Sequence, residues 1–97
     1  MGDELPELSA ADFERSISAR VRRRVAAGRV ESGDDIVAVR RFVGLSAEDF
    51  AGAFGISLDV LHDWEAGKSL PDGPALSLLR VAARHPRVVR ENVPFAA

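Results

Sequence analysis

Residues 45–67 read LSAEDFAGAFGISLDVLHDWEAG, and this stretch organises the chain. Ser46 stands one residue before Ala47, with Asp49 at the third helical position. A hydroxyl there can accept an orphan backbone N–H, and an acid suits the first turn. A short helix over Ala47–Phe54 is predicted, ended by Gly55, where a left-handed residue is easy for glycine. Ser57 caps a second helix over Leu58–Ala66, ended by Gly67. The small side chain of Ala51 lies where two helices joined by so tight a turn come closest. Phe50, Phe54, Ile56, Leu61 and Trp64 converge on one side as a small core, which leaves the first half of the second helix exposed.

On the N-terminal side, Asp34 or Asp35 can cap a helix from about Asp35 to Val43, with Ile36, Val39 and Phe42 or Val43 inward and Gly44 at its end. On the C-terminal side, Leu70-Pro71-Asp72-Gly73 is a turn. Pro74 then opens a helix to about Arg84, where its missing N–H does no harm. Leu76, Leu79 and Ala83 share one face of that helix, while Leu78 and Val81 can serve either the core or a partner. Pro86 breaks it, and a last short turn or helix spans Arg87–Asn92. Farther out, residues 1–8 are an acidic lead expected to be disordered. Residues 9–29 form a basic amphipathic helix, about Ala10–Ala27, on which Phe13, Ile17, Val21 and Val25 recur every fourth residue among arginines. Residues 93–97 are a short apolar tail. No segment alternates with period two, so the class is all-α.

The chain has 97 residues, 46% of them hydrophobic and 29% charged, which bounds it to one modest core. It lacks cysteine, which excludes disulfides and thiolate metal sites. There is no apolar run of membrane-spanning length and no signal-peptide pattern at the start, so a cytoplasmic location is expected. The net charge of −2 conceals a division. Residues 13–30 carry six arginines against one acid, whereas residues 34–70 carry three bases against seven acids.

Two short helices at a steep angle, with the second exposed along its first half, make a helix-turn-helix. The pattern Arg40, Gly44-Leu45-Ser46, Phe50-Ala51, Phe54-Gly55, Ile56-Ser57, Leu61, Trp64-Glu65, Gly67 and Pro71 resembles the Xre-type helix-turn-helix family, which includes the lambdoid phage repressors. The longer run DWEAGKSLPDGPALSLLRVAARHP, residues 63–86, is similar to the HigA-type antitoxins and related small regulators. This resemblance implies a five-helix domain over residues 34–92 that dimerises, represses its own operon on double-stranded operator DNA, and binds a cognate mRNA-cleaving toxin of the RelE type. It also implies an ion pair between Arg40 and Glu65, a structural role shared with Phe50, Ala51, Gly55, Leu61 and Trp64.

The DNA-facing candidates are Arg41, Ser46, Ala47, Ser57, Leu58, Asp59, His62, Asp63, Lys68 and Ser69. A carboxylate can accept from the cytosine N4 amine, and His62 can donate to guanine. Arg41, Lys68 and Ser69 can hold phosphates, and the backbone N–H groups at Ala47 can meet one. The set departs from its relatives. Alanine replaces the usual glutamine at 47, Leu58, Asp59 and His62 stand where arginine, threonine, serine or glutamine are common, and Val60 takes the place of a frequent threonine, while Asp63 is usual for the antitoxin branch. Loss of sequence-specific DNA binding, with function through protein contacts alone, is the alternative. For the N-terminal helix, a core-packing stripe with solvated arginines stands beside a docking role for Phe13, Ile17, Arg20, Val21 and Arg24 toward a partner protein or phosphate. Ser57, Asp59 and His62 lie close in sequence but read as a cap and surface residues. Neither they nor the two histidines point to catalysis, a metal or a small-molecule cofactor.

Overall fold

The computed structural model describes residues 19–94. All regular structure among them is helical: α1 over residues 19–26, α2 Gly33–Val43, α3 Ala47–Phe54, α4 Leu58–Glu65, α5 Gly73–Arg84 and α6 Pro86–Glu91. The architecture is a five-helix Xre-like helix-turn-helix domain, α2 to α6, preceded by the arginine-rich α1. The lead at 1–8, the first part of the basic helix with Phe13 and Ile17, and most of the tail lie outside the described residues.

The local rules account for most boundaries. The Ser46 hydroxyl accepts from the Asp49 N–H at 3.1 Å and the Ser57 hydroxyl from the Val60 N–H at 3.1 Å, so both capping serines act as expected. Gly55 takes φ 71°, and the Ile56 N–H returns to the Ala51 carbonyl at 3.0 Å, closing α3 with a left-handed turn. Three boundaries differ. The second helix starts at Gly33, two residues early, with Ser32 at the cap position and no side-chain cap bond. Pro74 occupies the second position of α5, behind Gly73. Pro86 opens α6 as well as ending α5, because its ring suits a first helical position.

Phe50, Ile36, Leu61, Leu79, Val25, Val39 and Val43 are fully enclosed. Phe50 and Phe54 stack with ring centroids 4.4 Å apart. The ambiguous leucines of α5 divide: Leu79 is enclosed, Leu76 and Val81 are half-buried, and Leu78 is exposed. The last helix fastens the bundle through side chains. Arg90 donates to the Val43 carbonyl at 3.0 Å and Asn92 to the Ala53 carbonyl at 2.7 Å, satisfying carbonyls at the ends of α2 and α3.

Candidate nucleic-acid interface

Helix α4, the second helix of the helix-turn-helix, is held from behind. Leu61 and Trp64 are buried on its inner face. At its end, Glu65 accepts from Arg40 Nε at 2.7 Å, and the same guanidinium also reaches the Leu45 carbonyl at 3.4 Å. Arg40 therefore ties α2 both to the segment entering α3 and to the last turn of α4, as the ion pair implied by the resemblance required. A further device had no local signature. Gly33 is buried, and a Cβ placed on it would come within 2.7 Å of the Trp64 carbonyl oxygen and closer still to that of Glu65. The start of α2 thus packs directly on the backbone ending α4. In the sequence Gly33 is indistinguishable from a loop glycine, because its partner is 32 residues away.

Asp59, His62 and Asp63 are exposed on α4, as are Arg41, Lys68 and Ser69 around it. Lys68 and Ser69 are brought beside the helix by their N–H groups, which reach the Asp63 carbonyl at 2.9 and 3.4 Å. Ser46 and Ser57 are exposed, with their oxygens engaged as caps and their O–H protons left to donate. Leu58 and Ala47 are corrections. Both side chains are half-buried against the core, so Leu58 does not present a free side chain, and Ala47 can contribute only the backbone N–H expected of it. Val60, 40% exposed, adds an apolar surface to the same front, on the outer face where the sequence placed it. Asp59 and Asp63 sit four residues apart on one face, a like-charge spacing that costs a few tenths of a kcal/mol. Among the described residues no base lies within ion-pair distance of either.

The α1 docking residues also need correction. Val21 and Val25 belong to the core, with Val21 only 8% exposed. Arg24 turns inward, where its Nη2 meets Asp35 Oδ1 at 2.5 Å. Asp35, expected to be a cap, is buried at the third position of α2 and also accepts the Glu31 N–H at 2.7 Å. This carboxylate holds the Arg24 guanidinium above its ordinary pKa, chiefly through the hydrogen bond. Arg22 stacks over the Phe42 ring at 4.9 Å. Of the described docking residues, Arg20 alone is exposed. A stripe of valines looks the same whether it meets its own core or a partner, so sequence left the two open.

Residues 2–92 match the family described as the antitoxin component of a bacterial toxin-antitoxin system, MqsA. The chain belongs to this family. Among curated relatives, the antitoxin HigA-2 of Vibrio cholerae is 38% identical over 58 residues, covering 60% of this chain and 56% of its own length. The uncharacterised helix-turn-helix transcriptional regulator YiaG of Escherichia coli is 29% identical over 63 residues, 65% of this chain and 66% of its own. The chain therefore spans only part of each of these relatives. No solved structure matches it significantly. The fold and the antitoxin and regulator relatives agree with the Xre-type reading, and no described helix is long and apolar enough to cross a membrane.

Proposed function

We propose that this chain is a DNA-binding antitoxin-type repressor of a toxin–antitoxin operon, which binds double-stranded operator DNA as a homodimer and neutralises a RelE-type mRNA-cleaving toxin by direct binding. The observation that carries the DNA reading is the mounting of α4. Its back is clamped by Trp64, the Arg40–Glu65 pair and the Gly33 contact, while Asp59, His62 and Asp63 stand free on its front. A rigid helix with an open front half suits insertion into a major groove. Asp59 and Asp63 would accept from cytosine amines, His62 would donate to guanine, and Lys68, Ser69 and Arg41 would hold phosphates. The exposed Leu78 lines a shallow groove with Gly52–Gly55, Glu91, Asn92 and Val93, a mixed surface that would suit a second copy. Antitoxin family membership supports toxin binding.

The exposed carboxylates favour a second reading, in which the fold acts only through protein contacts. Carboxylates near phosphate rails repel them, whereas they attract a basic toxin. A fluorescence-anisotropy titration against the duplex upstream of the chain's own gene separates the two. Preferential binding of that duplex over a scrambled one supports the repressor; equal or absent binding of both leaves the protein-contact reading.

A further inference from the structure

The charge division is sharper in three dimensions than along the chain. Residues 19–30 carry five arginines and no carboxylate, and residues 73–90 carry four arginines and no carboxylate. The fold joins these two segments, which are more than forty residues apart. Arg84 donates through Nε and Nη2 to the Ala26 carbonyl, at 3.2 and 2.8 Å. Arg80 lies along the backbone of Gly28, its Cδ 3.4 Å from where a Cβ would stand. Arg29 follows Gly28, and Arg87 follows Arg84 by three residues into α6. Arg29, Arg80, Arg84 and Arg87 are all exposed. Among the described residues none of the four has a carboxylate within ion-pair distance, whereas the inward-facing Arg24 and Arg40 have theirs. The structure thus gathers Arg29, Arg80 and Arg84 where α5 meets the end of α1, with Arg87 three residues further along the chain, and this arginine-rich surface stands on a molecule whose α2–α4 portion is acidic.

We propose that this face is a second DNA-contact surface, gripping the phosphate backbone of duplex DNA outside the groove that α4 enters. The inference rests on the DNA-binding reading and deepens it. Sequence-independent affinity for DNA comes from cations that displace condensed counterions. The front of α4 carries acids instead, and the whole chain is −2. The cations that affinity requires are concentrated on this arginine-rich surface. All four are arginines, whose planar forks match phosphate oxygens in pairs. Arg84, fixed on the Ala26 carbonyl, holds the two segments together, and Arg29, Arg80 and Arg87 supply the free guanidinia.

The test is a triple variant, Arg29→Gln, Arg80→Gln and Arg87→Gln, with Arg84 kept, beside the matching triple lysine variant. Anisotropy is read on the upstream duplex and on a random-sequence duplex across a salt series, with circular dichroism to verify that each variant is folded. Each lost phosphate contact lowers the slope of log affinity against log salt by about 0.9. The glutamine triple is expected to flatten that slope by about 2 to 3 and to weaken both duplexes alike, while the lysine triple keeps most of the slope. An unchanged slope in a folded glutamine triple overturns the proposal. So does loss of a salt-dependent self-association with the DNA slope intact, because the face would then serve a second copy. Preference for the upstream duplex is a separate readout. If wild-type protein binds both duplexes equally and the glutamine triple releases both, the arginine face stands and the repressor reading fails.

Discussion

Replacing Gly33 by alanine probes the contact that seats α4. The added Cβ would lie 2.7 Å from the Trp64 carbonyl oxygen and closer to that of Glu65. Both are backbone atoms in the last turn of α4 and cannot rotate aside. To restore ordinary contact, α2 and α4 must separate by about an ångström, in an interior that is closely packed. Overpacking of this kind costs about 1–3 kcal/mol. The better helix propensity of alanine returns at most about 1 kcal/mol, and less at a first helical position. A net loss of about 2 kcal/mol lowers the melting temperature of a domain this size by roughly 8–16 °C. Gly52→Ala supplies the contrast. That glycine is inside α3, and its nearest obstacle is the Pro94 side chain at 3.2 Å, close to the end of the described chain. It is expected to be neutral or to gain up to about 1 kcal/mol. Thermal unfolding followed by circular dichroism reads both. A Gly33→Ala protein that melts at or above wild type would refute the close approach.

Glu65→Ala leaves Arg40 half-buried without its carboxylate, and urea denaturation should show a loss of about 1.5–3 kcal/mol. A loss near zero would mean that water replaces Glu65 fully and that the pair does not brace α4. Asp59→Asn with Asp63→Asn removes the exposed acids from the front of α4. If that face enters a groove, the double variant should bind random duplex more tightly and discriminate cytosine-containing sites less, read by anisotropy; unchanged values on both duplexes place α4 outside the groove. Leu78→Asp replaces an exposed apolar side chain with a charge in the groove beside α3. If the proposed homodimer forms through this groove, sedimentation equilibrium should show its loss in the variant, and an undiminished dimer would move the interface elsewhere.

The residues that act on near neighbours were legible in the sequence. Ser46 and Ser57 as caps, Gly55 as a left-handed stop and the inward set Phe50, Ala51, Leu61 and Trp64 follow from spacing alone, and they carried the fold. The Arg40–Glu65 pair came from resemblance, since spacing does not reveal a partner 25 residues away. What stayed hidden depends on tertiary approach. Gly33 reads as a loop glycine until α4 is laid on it. Asp35 reads as a cap until Arg24 folds over it. Leu58 sits at a position that a helical wheel turns outward, yet the first turn of α4 leans on the core. The arginine-rich surface was half visible: the cluster at 13–30 stood out, but Arg80 and Arg84 are dispersed along an apolar helix, and only folding brings them to Gly28 and Ala26.

The exposed front of α4 is proposed to read DNA. The most direct measurement is the anisotropy titration of wild-type protein against its own upstream duplex and a scrambled duplex of equal length, between about 50 and 200 mM salt. The expected result is tighter binding of the upstream duplex, with affinity for both falling steeply as salt rises. Equal affinity for the two, or no binding of either at the lowest salt, would contradict it.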